Sequence, residues 1–231
     1  MVSKCSRNSI KGKLSHICNN ISHENDLRSD LKKDASIFTV ELELFAKTAR
    51  FKEMLDKWHS VRKDPTQAHL LSVYVWTVVI DALGKHGKAK EALDAFQEMI
   101  SFGFNPDSLT FLVVMNACSH CGLVSEVRRL LSLMPQFNVD ESVKHRTCLV
   151  DALARAGDFD GAFLEAEAEN KPYVPMFMSI LSHCREKKTR DDIAKQCFEK
   201  LKFIDPKNDD GSLAAAYVVY GQILKRAGGL Q

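Results

Sequence analysis

The chain has 231 residues, 45% of them hydrophobic and 27% charged, with a formal net charge of +2 at neutral pH. That length and balance suit one folded domain or an array of about six or seven short units, and exclude wholesale disorder. No apolar run approaches the roughly 18 to 20 residues that span a bilayer, and the near-neutral charge gives no vote for nucleic acid.

Residues 1–34 fit no repeating unit. The first 22 hold Lys4, Arg7, Lys11 and Lys13, no acid and five serines. A basic, serine-rich, acid-free start suits an organellar transit peptide, which folds as a cationic amphipathic helix. An ordinary exposed basic stretch is the alternative. No apolar segment follows, which argues against a secretory signal.

From residue 35 onward the chain repeats itself. Gly87, Gly122 and Gly157 recur at a spacing of 35, and so do Ala82, Ala117 and Ala152, and Ile80, Met115 and Val150. Before Gly87, Val75, Val78, Val79, Ala82 and Leu83 mark one helical face; after it, Ala92, Leu93, Ala95, Phe96, Met99 and Ile100 mark another. A glycine between two such faces supplies the positive φ that ends one helix and reverses the chain. Pro106, Pro135, Pro172, Pro175 and Pro206 fall near unit ends, where a helix must stop.

These signals predict an all-α, right-handed superhelical solenoid of antiparallel helix pairs, each about 35 residues long. The units in chain order are a degenerate pair at 35–72, with Ala49 at the glycine position, then 73–107, 108–142 and 143–173. A pair at 174–211, with Lys188 at that position, precedes a partial unit at 212–231, where Arg226, Ala227 and Gly228 echo Arg155, Ala156 and Gly157. The charged stretch from Arg185 to Asp192 reads as turn and solvated surface.

Seven cysteines, Cys5, Cys18, Cys118, Cys121, Cys148, Cys184 and Cys197, are odd in number and scattered. They argue against a disulfide framework and for buried thiols in a reducing compartment. Cys118 and Cys121 form a lone Cys-x-x-Cys with no second ligand pair at zinc-site spacing; alignment with Leu83 and Leu153, and with His86 and Ala156, assigns them to packing and turn filling. There is no glycine-rich phosphate loop, nucleophile elbow or convincing acid pair, so the sequence predicts no enzyme, no cofactor and no metal.

Tetratricopeptide arrays also pair helices, but their Trp-x2-Leu-Gly-x2-Tyr opening is missing from every unit. The run from Val73 to Met99, ending in Phe102-Gly103-Phe104-Asn105-Pro106-Asp107, closely resembles a pentatricopeptide repeat. Pro106–Val124 is similar to the long variant repeat of plant-type organellar editing factors, and His145–Gly157 to the short variant that follows it. Residues 174–231, with Lys200–Asn208, are similar to that family's C-terminal extension motifs. The start from Met1 to Ser6 resembles the middle of a family repeat, as in a truncated one.

The resemblance implies one nucleotide-reading station per repeat on single-stranded RNA, with two side chains selecting the base. In 73–107 these are Thr77 and Asp107, and the base implied is guanine, whose two Watson–Crick N–H donors suit a carboxylate and a hydroxyl. The alternative is a surface hydroxyl and a capping aspartate. Tyr74 takes the position packed between bases, where an aromatic ring adds roughly 1 to 3 kcal/mol of stacking. The later stations would be Leu112 with Ser142 and Thr147 with Tyr173; leucine cannot bond a base edge, and Tyr173 stands where the family has an acid or amide.

Lys85, His86, Lys88 and Lys90 around one turn, and Lys144, His145 and Arg146 at a later helix start, are solvated surface or phosphate contacts. The zinc deaminase that ends some relatives needs His-x-Glu and Pro-Cys-x-x-Cys, which this sequence lacks. The resemblance therefore implies an RNA-binding adaptor for organellar C-to-U editing, partnered by single-stranded RNA and a separate deaminase or other RNA-processing protein, with no membrane. Its implied location is mitochondrial, with plastid or cytoplasm as alternatives. A protein-binding helical scaffold and an inactive fragment are the other readings.

Overall fold

The computed structural model describes residues 34–48, 50–168, 173–187, 190–204 and 211–226. The expectations for residues 1–33, Ala49, Lys188, Ala227 and Gly228, and for Cys5, Cys18, Pro172 and Pro206, lie outside them. Among the described residues every regular element is a helix and there is no strand, and no helix is long and apolar enough to cross a membrane. The chain divides into two compact units, Met1–Val75 and Trp76–Gln231.

In the first unit, helix α1 (34–47) buries Phe38 and Leu42, and α2 (Phe51–Lys63) buries Met54, Trp58 and Val61. The steps of three or four residues put each set on one face. Lys57 on α2 pairs with Glu41 on α1. Asp64 then accepts from the Thr66 N–H at 3.0 Å and opens a short 3-10 turn, Pro65–Leu70.

Helix α3 (Val73–Lys85) starts in the first unit and continues into the second. There follow α4 (Ala89–Ser101), α5 (Ser108–His120), α6 (Val124–Leu133), α7 (Val143–Ala156), α8 (Phe159–Glu167), α9 (Val174–Lys187), α10 (Asp191–Ile204) and α11 (Ser212–Arg226). Helices α5, α7, α9 and α11 stack in order as one layer. Helices α6, α8 and α10 each lie against the first helix of their own pair and of the next. This is the all-α solenoid expected from the 35-residue period.

The glycines set the reversals. Gly87, Gly122 and Gly157 have φ of 70°, 68° and 96°. Beyond each, the next N–H reaches five residues back, Lys88 to Leu83 O at 2.9 Å, Leu123 to Cys118 O at 3.0 Å and Asp158 to Leu153 O at 3.0 Å. The bond satisfies a carbonyl that the helix end would strand.

One sequence reading needs correction. Pro175 does not end a helix: it is the second residue of α9, in the first turn, where the missing N–H has no acceptor to lose. Pro135 does follow a helix end, since α6 stops at Leu133 and Pro135 is the second residue of the 3-10 turn Met134–Phe137.

Helix α5 is buried along most of its length, including Phe111, Val114, Met115 and Cys118. Phe111 meets Phe96 of α4 edge-on, ring centres 5.4 Å apart. Where α3 meets α5, a Cβ placed on Gly84 would stand 2.7 Å from Ala117 Cβ and 3.1 Å from its Cα. Glycine here allows two backbones to approach where any side chain would collide.

Candidate nucleic-acid interface

Asp107 is the N-cap of α5, placed by the extended residues after α4. Its Oδ1 accepts from the Thr110 N–H and from Thr110 Oγ1, both at 2.8 Å, while the residue itself stays exposed. Its other oxygen takes no hydrogen bond among the described residues. Thr77, on α3, is buried at 4% exposure, and its Oγ1 lies 2.8 Å from Thr110 Oγ1. The two expected selectors are thus brought together through a third side chain, fully buried Thr110. The capping role foreseen as an alternative for Asp107 is present in the fold; the surface hydroxyl foreseen for Thr77 is not, because Thr77 is buried.

Elsewhere the expected stations are less well furnished. Thr147 donates to Val143 O at 2.8 Å, four residues back on its own helix. Leu112 and Tyr173 are half-buried and Ser142 caps α7. Tyr74 belongs to the first unit and is half exposed; its hydroxyl donates to Glu43 Oε1 at 2.5 Å. That bond is the largest influence holding the Glu43 carboxyl below its ordinary range.

The expected phosphate contacts divide into four kinds. Lys85, exposed, and Lys88, half-buried, are paired with near neighbours in sequence, Asp81 at 2.5 Å and Glu91 at 3.1 Å; such surface pairs contribute about 0–1 kcal/mol and exchange readily. Lys90 and Lys144 are exposed and form no ion pair among the described residues. Arg146 is compensated twice, by Glu141 at 2.7 Å and Glu165 at 2.8 Å. His145 is buried: its Nδ1 accepts from the Ser142 N–H at 3.1 Å and its Nε2 donates to Ser108 O at 2.9 Å. Those partners fit the neutral Nε2–H tautomer, so His145 ties the start of α7 to the start of α5 and offers no cation.

Sequence reasoning missed a polar cluster between α7 and α9. Asp151 Oδ1 accepts from Ser179 Oγ at 2.6 Å and His183 Nε2 at 3.0 Å, and the other His183 nitrogen faces Glu186 at 3.2 Å. Asp151 Oδ2 has Arg155 at 3.6 Å and His120 at 4.0 Å. The available signal was positional, since Asp81, Asn116 and Asp151 recur at 35 residues, and Asn116 likewise accepts from Cys148 Sγ at 3.1 Å on the next first helix.

Among the described cysteines Cys118, Cys148, Cys184 and Cys197 are buried and Cys121 is exposed. Burial pushes the Cys118 thiol up to about 12, far from the reactive range. No group of three or more His, Cys, Asp or Glu side chains among the described residues is placed to hold a metal.

A family model described as the PPR repeat family matches residues 71–140, the stretch that carries Thr77, Asp107 and Thr110. The chain belongs to the pentatricopeptide repeat family. A pentatricopeptide repeat-containing protein of Arabidopsis thaliana is 31% identical over 204 residues, covering 87% of this chain and 34% of its own length. A second from the same plant is 38% identical over 135 residues, covering 58% of this chain and 17% of its own. The chain thus spans about a third or less of these relatives.

Among solved structures, the pentatricopeptide repeat protein PPR10 from maize matches with a TM-score of 0.65 at 20% identity, over 83% of this chain and 27% of that one. The PPR domain of Arabidopsis thaliana protein-only RNase P 1, solved in complex with tRNA, matches with a TM-score of 0.58 at 16% identity, over 80% of this chain and 98% of that one. PPR10 in complex with an 18-nt psaJ RNA element matches with a TM-score of 0.60 at 19% identity, over 85% of this chain and 29% of that one. At these identities the likeness is one of fold.

Proposed function

We propose that this pentatricopeptide repeat chain binds single-stranded RNA, with its working station in 73–107 and a preference there for guanine. The observation that carries this reading is the exposed Asp107 carboxylate, one oxygen anchored by Thr110 and the other without a hydrogen bond among the described residues, linked to Thr77. An exposed, ionised carboxylate accepts from a base edge that carries N–H donors. Repeat-family membership and the two RNA complexes of similar fold support it. The finer reading is an adaptor in organellar C-to-U editing, mitochondrial in location, in which 174–231 recruits a separate enzyme such as a deaminase and the chain itself catalyses nothing.

Selection from a random single-stranded RNA pool tests the RNA reading. Enrichment of a guanine-containing motif is expected, lost in Thr77→Ala and in Asp107→Asn; asparagine keeps the cap of α5 while turning part of the exposed edge into a donor. Affinity should fall roughly tenfold between about 50 and 200 mM salt, as two or three phosphate contacts predict, and Lys90→Glu should weaken binding and flatten that slope. Absence of binding at low salt would leave the second reading, a protein-binding scaffold, which the half-buried Leu112 and the self-bonded Thr147 favour.

A further inference from the structure

Thr110 belongs to the unit that follows the station and is not one of its two expected selectors, yet it touches both. Its amide and its hydroxyl take Asp107 Oδ1 from two directions, each at 2.8 Å. Two bonds to one oxygen restrict the carboxylate's rotation, and the other oxygen takes no hydrogen bond among the described residues. The hydroxyl also stands 2.8 Å from the Thr77 hydroxyl.

An ionised carboxylate only accepts, and a bond to it is the stronger of the two available to the Thr110 hydroxyl. Thr110 therefore spends its one hydrogen on Asp107 and has only lone pairs to turn toward Thr77. Thr77, Thr110 and Asp107 form one run of side-chain contacts across two successive repeats, with Thr110 fully buried at its middle.

We propose that Thr110 is a positioning residue of the station: it holds the Asp107 carboxylate and ties it to Thr77, so that the site offers a fixed acceptor to the base. This rests on the RNA-reading function proposed above. Asp107 is the exposed member and Thr77, buried at 4% exposure, acts through Thr110. A station so ordered discriminates a base that donates from one that accepts, and it loses that discrimination when the hydroxyl of Thr110 is removed, even though every selector remains.

The test uses the full chain and the RNA recovered by selection, synthesised with guanosine, inosine or adenosine at the selected position. Inosine keeps the ring N–H of guanosine and lacks its amino group, so the guanosine-to-inosine ratio reads the acceptor offered to that amino group. Wild type and Thr110→Ser should prefer guanosine, whereas Thr110→Val should bring that preference down about tenfold, the effect of one lost directional bond. Thr110→Ala repeats the loss without the added methyl, and circular dichroism checks folding of each variant. A merely structural role would lower affinity for all three RNAs equally and would not be rescued by serine. If Thr110→Val and Thr110→Ala keep the preference while Thr77→Ala and Asp107→Asn lose it, Thr110 has no positioning role and the station stands as a two-residue reader. If Thr77→Ala and Asp107→Asn leave the preference unchanged, the station itself is wrong and this proposal falls with it.

Discussion

Replacing Asp151 by alanine is expected to destabilise the protein by about 3 kcal/mol, a drop in melting temperature of roughly 6 to 12 °C. The carboxylate is the shared acceptor for Ser179 and for His183, whose side chain is only 6% exposed. Removing it leaves a half-buried hydroxyl and a buried imidazole nitrogen without their partner, and Arg155 without its counter-charge. The cost is that of stranded polar groups rather than of a lost contact. Asp151→Asn keeps an acceptor for Ser179 and should cost less. Hydrogen exchange should place the loss in α7 and α9, since a stacked array yields locally. An unchanged melting curve would show that the cluster contributes nothing.

The same carboxyl sets a pH dependence with a definite sign. Burial is the largest single influence on Asp151 and raises it, but the hydrogen bonds from His183 and Ser179 and the charges of Arg155 and His183 together hold it well below the usual carboxylate range. A depressed carboxylate contributes stability that is complete above its unfolded value of about 3.9 and is lost as pH falls toward the folded value. The gap in melting temperature between wild type and Asp151→Asn should therefore narrow as pH drops from about 5 to about 3. A gap that widened would contradict this.

Gly84→Val should be comparably damaging, at about 3 kcal/mol, because a Cβ at that site would lie 2.7 Å from Ala117 Cβ and 3.1 Å from its Cα. The nearer atom is a methyl but the next is backbone, so the added group cannot be accommodated by turning a side chain. Gly84→Ala is the sharper experiment. Alanine gains about 1 kcal/mol of helix propensity against an overpacking cost of about 1–3 kcal/mol, and a net loss is expected. Pairing it with Ala117→Gly removes the closer collision, so a double-mutant cycle should return a favourable coupling of about 1 kcal/mol. Stabilisation by Gly84→Ala alone would mean that α3 and α5 do not approach this closely in solution.

What was legible in advance followed from strictly local chemistry. The glycine at each reversal announces itself by its φ requirement and its period, and the cap at Asp107 by residue type. Gly84 gave no such signal: it lies inside a helix where glycine is unfavourable, and its reason is Ala117, on another helix. Thr110 was hidden for the same cause. Its bond to the aspartate three residues back is a local cap, but its bond to Thr77 spans 33 residues and exists only once two units are stacked. His145 read as a cation because its neighbours are Lys144 and Arg146; burial and two backbone partners decide otherwise.

The hydroxyl pair that joins Thr77 to Thr110 also bears on how such a protein could be re-engineered. A cassette cut at Asp107 and grafted into a foreign array would carry its two named selectors and leave their anchor behind. The transplantable module is therefore longer than the period of the sequence, running at least through Thr110. Shuffling at the 35-residue boundary severs it, whereas a seam placed inside α5 beyond that threonine keeps the whole assembly on one piece of chain.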